Sequence, residues 1–405
     1  MKYMKKHPQI SMTALIVFFI CALLTPVYFT KVASPYYPEI ILSNIFLIVC
    51  ALALFFTADK NKKGRNRLFI WLIFSFIVLY DLFFIFYITR TGQWSYEAVN
   101  VTIAFLAFII LLSLDTERLF KKYHVPEILI VTILVSVIVS IVVYHLGYTS
   151  VSFLNGTVTF TPHDPNYYET RFSWFFFHKS QYCFFLLLSI ALFVRYRDVF
   201  KSKILFYLSV AVLLYGIYIS HTYTALFASL FIFAGAIADY LLPRLSKIRK
   251  QYFLLLIPPV CAALYFVYRM SRERNIWNLG GRLNIWKESI NQILQYTEGI
   301  GDLFGGLAFP VPGLTFEVYN CHNYFLNIMY RFSLPAGLFF ALIFLTIIIF
   351  SLKKHFSFFT AGIWIALLIS LGMDYALLTT DLPITLFMLY CLFFTRRKAV
   401  QHEML

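Results

Sequence analysis

The sequence predicts an all-α polytopic membrane protein, one integral membrane domain over residues 1–405 with about twelve transmembrane helices. Three observations predict it: a composition poor in charge, an even recurrence of apolar stretches, and the placement of Lys and Arg between them. Hydrophobic residues make up 60% of the chain and charged residues 13%, with a mean hydropathy of +0.76. Soluble globular domains carry roughly a quarter charged residues, so this chain lacks the polar surface that water requires.

A helix needs about 20 mostly apolar residues to cross a bilayer. Qualifying stretches run approximately 10–30, 39–57, 68–88, 97–114, 127–146, 181–195, 204–220, 224–242, 252–268, 333–352, 358–377 and 382–395. The sixth and the last are short for the purpose. The start, Met1 to His7 followed by an apolar run, resembles a signal peptide. No small-residue cleavage site follows, so a retained first helix is expected.

Orientation follows from the basic residues. With the N-terminus inside and the spans alternating, every inside segment carries at least two Lys or Arg, among them the clusters 60–67, 195–203 and 244–250. Most outside segments carry one or none. Both termini are therefore expected in the cytoplasm. The net charge of +15 is spread as an insertion signal rather than as a nucleic-acid surface. Cys21, Cys50, Cys183, Cys261, Cys321 and Cys391 show no metal-type spacing, and most sit within apolar stretches, so no disulfide framework is expected.

Two external loops stand out, residues 147–180 and 269–332. The second is long for a helical bundle, and long loops on rigid scaffolds tend to carry function. Within it, Leu283, Trp286, Ile290, Ile293 and Leu294 fit one apolar face of a helix from Arg282 to about Tyr296. Such a helix is expected at the outer membrane interface with Trp286 at headgroup depth. Gly280-Gly281 opens it. Its free N–H groups, with Arg282, form a natural phosphate seat; an arginine that merely meets lipid headgroups is the plainer alternative. Gly299 and Gly301 mark a tight turn. His322-Asn323 then opens another helical stretch, and His322 is either a general base near neutral pH or a structural loop histidine.

In the first loop, Arg171 stands beside an aromatic run ending at His178. It either binds an anionic headgroup or sugar rings, or belongs to a segment anchored by its aromatics. His221 lies at the outer end of the seventh span, either as a polar group with a role or as a simple helix end. Asp81, near the middle of a span, is either proton-coupled or paired with a polar residue on a neighbouring helix. No P-loop, His-Glu-x-x-His or serine-hydrolase elbow is present.

Taken together these elements resemble the O-antigen polymerase (Wzy) and O-antigen ligase superfamily of bacterial polysaccharide assembly. Gly281-Arg282-x-x-Ile285-Trp286 followed by Gly299-Ile300-Gly301 is similar to that family's Arg-x-x-x-Trp and Gly-x-Gly pair. His322-Asn323-Tyr324-Phe325-Leu326, with Gly337-Leu338 beginning the next span, is similar to its His-Asn-x-x-Leu signature. Arg171 to Ser180 is similar to the polymerase branch's Arg-x-x-x-Gly-x-x-His-Pro-Asn, although Phe175, Lys179 and Ser180 replace the glycine, proline and asparagine. Where the family often has Ser-Arg at a span end, this chain has Ser220-His221. The resemblance covers mainly residues 165–345.

The resemblance implies a metal-independent, cofactor-free inverting glycosyltransferase in the bacterial plasma membrane, with its site on the outer face. Its donor is an undecaprenyl-diphosphate-linked oligosaccharide. A polymerase moves the glycan to the non-reducing end of another lipid-linked repeat unit, as in O-antigen, capsule or exopolysaccharide assembly; a ligase moves it to a different acceptor. His322 takes the catalytic role. Arg282, a second cation (Arg171 favoured over His221 and Arg269), Asn323, Trp286 and His178 take substrate-binding roles. Membrane lipids, a chain-length regulator and a flippase are the implied partners. A flippase or other transporter is the rival of a different class; it predicts polar residues through the bundle core, and the spans hold few besides Asp81.

Overall fold

The computed structural model describes residues 67–92, 96–113, 122–153, 156–159, 172–176, 178–242, 281–295, 310–312, 320–354, 356–374 and 381–395, with isolated positions between them. Apolar runs of span length form helices α1 (Arg67–Thr91), α2 (Tyr96–Ser113), α3 (Val125–His145), α4 (Lys179–Arg195), α5 (Lys203–Ile219) and α6 (Tyr223–Leu241). After them come α7 (Arg282–Gln295), α8 (Tyr324–Arg331), α9 (Leu334–Lys354), α10 (Phe358–Met373) and α11 (Leu382–Phe393). Helices thus cover the expected stretches from 68–88 to 224–242 and from 333–352 to 382–395. The expected stretches 10–30, 39–57 and 252–268 lie outside the described residues. Loop 147–180 departs from the all-α expectation by holding an antiparallel hairpin, β1 (Ser150–Phe153) with β2 (Gly156–Thr159), in register Ser150 to Thr159.

The helices α1, α3, α6 and α9 are each long and apolar enough to cross a membrane, and the chain is a helical, membrane-embedded protein. Trp71, Leu82, Val131, Tyr207 and Leu345 are among the exposed large side chains along the helices, the surface that lipid rather than water tolerates. The two short stretches, 181–195 and 382–395, form interior helices. Every residue from Ser180 to Phe193 on α4, and all of α11, is buried.

The bundle has two distinct ends. At one, Arg195 donates to the Thr395 carbonyl at 3.1 Å and Tyr196 to that of Cys391 at 2.8 Å, so α4 and α11 run in the same direction. Phe69 stacks on Phe350 at 4.1 Å, and the Lys354 ammonium sits 5.4 Å over the Phe394 ring. The basic residues Arg67, Arg195, Lys353 and Lys354 therefore share this end. The opposite end gathers the start of α4, the α5–α6 turn, the start of α8 and the end of α10.

Helices α6 and α10 cross with their backbones in contact, the geometry that small residues permit in membranes. A Cβ on Gly235 would collide with the Phe358 carbonyl oxygen, and one on Gly362 with that of Phe231. Asp239 caps α10 by accepting from the N–H groups of Phe358 and Phe359 at 2.8 and 3.0 Å, a carboxylate at the positive end of a helix dipole. Asp81 on α1 accepts from the Thr102 hydroxyl on α2 at 2.6 Å, the pairing alternative for this residue.

Candidate active site

The site is assembled where the start of α4, the α5–α6 turn, the start of α8 and the end of α10 meet. Helix α4 begins with a reciprocal cap: His178 Nδ1 accepts from the Ser180 N–H at 3.3 Å, and Gln181 Oε1 accepts from the His178 N–H at 2.9 Å. With Nδ1 as the acceptor, a neutral His178 ring carries its proton on Nε2. Lys179 donates to the His221 carbonyl at 3.2 Å, tying the start of α4 to the α5–α6 turn. Ser180 donates to Asp374 Oδ2 at 2.6 Å, and Asp374 ends α10.

Asn323 is the N-cap of α8. Its Oδ1 accepts from the N–H groups of Phe325 and Leu326 at 3.0 and 3.1 Å, and its Nδ2 donates to the Gly372 carbonyl at 3.1 Å. One side chain thus starts a helix and fastens it to the end of α10, a positioning role.

His322 precedes this cap in a left-handed conformation, φ 45°, which costs a non-glycine residue about 1–3 kcal/mol. Its surroundings supply the compensation. Its N–H donates to Asn320 Oδ1 at 2.9 Å; the neighbouring Cys321 N–H donates to Asn327 Oδ1 at 2.8 Å. The Trp286 indole of α7 donates to the His322 carbonyl at 3.4 Å. The strained backbone aims His322 Nδ1 at Asp374 Oδ1, 3.5 Å away, with the histidine side chain 34% exposed and the aspartate 10%. Asp374 is buried, with Oδ2 accepting from the Ser180 hydroxyl and Oδ1 facing His322. A carboxylate at Nδ1 favours the proton on that nitrogen and leaves Nε2 as the basic atom. Cys321, buried between α7 and α8, has its thiol pushed up to about 11 by that burial, an unreactive state.

Helix α7 docks on this loop through Ile285, Ser289 and Ile293, which are buried; the two isoleucines share a small core with Val318, Cys321 and Tyr330. Arg282 lies one turn ahead of Trp286 on the same docked side.

The expected site residues therefore fall as follows. His322, Asn323, His178, His221 and Trp286 meet at one end of the bundle, with Arg282 on the docked helix. Arg171 and Arg269 lie outside the described residues. Trp286 is turned toward the His322 carbonyl rather than outward to lipid headgroups, because the loop's free carbonyl offers its N–H a partner. The aromatic run after Arg171 is also turned inward. Phe172, Trp174 and Phe176 are buried, with Trp174 donating to Ser136 at 3.1 Å and Phe176 against Phe185, so these rings anchor the segment and are not offered to sugars. The sequence reading missed Asp374, Lys179 and Ser180. A carboxylate closing an apolar stretch was the available signal for Asp374.

Comparison of the sequence with models of known protein families and with curated proteins gave no match.

Proposed function

We propose that this chain is a polysaccharide polymerase of the Wzy type, transferring an undecaprenyl-diphosphate-linked glycan to the non-reducing end of another lipid-linked repeat unit. In this reading it lies in a bacterial plasma membrane with about twelve spans, both termini in the cytoplasm and the site on the outer face. The observation that carries the proposal is the His322–Asp374 pair beside the Arg282 helix, at the end of the bundle opposite the basic clusters.

The chemistry needs three services, and the residues supply each. The acceptor hydroxyl must lose a proton as its oxygen attacks the anomeric carbon; His322 Nε2 takes it. The resulting imidazolium must be stabilised, and Asp374 lies against its Nδ1. The bond from the anomeric carbon to the phosphate oxygen breaks with its electron pair going to the diphosphate. Arg282 meets that charge with a planar fork of donors, and Lys179 at the start of α4 offers a further cation. A single displacement inverts the anomeric centre.

The test is to incubate the purified protein with lipid-linked repeat units and resolve the products. A ladder of lengthened chains is expected. Arg282→Lys keeps the charge but loses bidentate geometry and is expected to lower the yield at least tenfold. An unchanged ladder from that variant would remove the diphosphate role of Arg282, and no ladder from the wild-type protein would remove the polymerase reading. Transfer to a different acceptor under the same conditions would favour ligase chemistry on the same machinery.

A further inference from the structure

Helix α7 has three faces rather than two. Taking about 100° per residue and Arg282 as zero, Ile285, Ser289, Ile293 and Trp286 fall within about 60° of zero, the docked side. Asn291, Asn284, Gln295 and Glu288 fall between about 180° and 240°, a polar side. Leu283, Ile290 and Leu294 line up between about 80° and 120°, and these three are exposed at 44%, 46% and 64%. Lys287, also exposed, falls at about 140°, on the seam between the apolar and polar sides.

A helix lying on a folded protein in water needs only a docked side and a polar side. A third, exposed apolar side about 16 Å long, from Leu283 to Leu294, calls for another apolar medium. The position of α7 identifies that medium. Thr297, just past its end, accepts from the N–H of Leu334 at 3.0 Å, and Leu334 is the first residue of α9, a helix long and apolar enough to cross a membrane. On α9 itself Leu338, Leu342 and Leu345 are exposed. The stripe on α7 is thus joined by one hydrogen bond to the point where a spanning helix enters the bilayer.

We propose that Leu283, Ile290 and Leu294 form an in-plane membrane anchor buried in the acyl region of the bilayer's lipids, with Lys287 reaching back to their phosphates from the seam. The polar side faces water and the docked side holds the His322 loop through Trp286. The same helix therefore carries Arg282 and fixes it at headgroup depth, where a lipid-linked diphosphate lies. The anchor itself rests only on the membrane-embedded fold; its consequence for Arg282 rests on the glycosyl-transfer reading.

The experiment places an environment-sensitive fluorophore on single cysteines in the full-length protein, its native cysteines replaced, at Ile290, Leu294 and, as the polar-side control, Asn291. The protein is reconstituted into vesicles of phosphatidylethanolamine and phosphatidylglycerol containing lipids spin-labelled on the acyl chain. Strong quenching is expected at Ile290 and Leu294, at least twice that at Asn291. Equal, weak quenching at all three positions would overturn the proposal. A blue-shifted probe at Ile290 without lipid quenching would also overturn it, by assigning the stripe to protein, whether another segment or a second copy. Neither readout needs donor or turnover, so the anchor fails or stands separately from the transferase reading.

Discussion

Replacing His322 with alanine is expected to reduce chain lengthening by about 10²- to 10⁴-fold, the usual contribution of a positioned general base, while single lipid-linked repeat units still reach the outer face. The expectation rests on geometry rather than on the presence of a histidine alone. His322 is held in a left-handed backbone conformation, φ 45°, by Asn320 and Trp286, and its ring faces the buried Asp374 carboxyl group at 3.5 Å. A purely structural histidine at a strained position predicts a different result. Glycine, which adopts that backbone freely, would then serve as well or better, so His322→Gly separates the two roles: a stable but inactive protein is expected. The measurement is the product ladder, paired with the thermal midpoint in detergent. If repeat units accumulate on the inner leaflet instead, the chain transports rather than polymerises.

The second large effect concerns the fold beneath the site. Gly362→Leu is expected to destabilise the protein by at least about 1–3 kcal/mol, the cost of overpacking a close-packed core. Its Cβ alone would meet the Phe231 carbonyl, and a backbone oxygen cannot rotate away as a side chain can. Helices α6 and α10 must separate, and α10 carries Asp374 at its end, so transfer is expected to fall together with the thermal midpoint. Gly372→Ala is the matched control. A Cβ there meets nothing within 4 Å, and the Asn323 bond uses only its carbonyl. It is expected to leave both measurements near wild type; equal damage from the two variants would dissociate the α6–α10 crossing from stability.

These two predictions draw on different parts of what the sequence made legible. Hydrophobic length fixes where spans begin and end, and the helices covering 68–88 or 333–352 follow from it directly. It says nothing about which spans are interior. α4 and α11 are short apolar stretches, and only the fold shows that other helices surround them. The α7 helix was legible, but the division of its apolar residues between two sides was not. Leu283, Ile290 and Leu294 are exposed while Ile285 and Ser289 are buried, since periodicity reports that a helix has an apolar side and not what the side touches. Asp374 illustrates the deepest limit. Its meaning comes from Ser180 and His322, 194 residues away in one case, and no local pattern encodes a contact of that range.

Transfer from a donor on the outer leaflet requires His322, Asp374 and the Arg282 helix to stand on the non-cytoplasmic side, opposite the basic end of the bundle. Single cysteines at Asn291 on α7 and at Lys203 at the start of α5, both exposed, test this with a membrane-impermeant maleimide on intact spheroplasts. Asn291→Cys is predicted to label at once, and Lys203→Cys only after the membrane is permeabilised. The reverse pattern would contradict the account, because a site facing the cytosol would meet no lipid-linked donor already carried across.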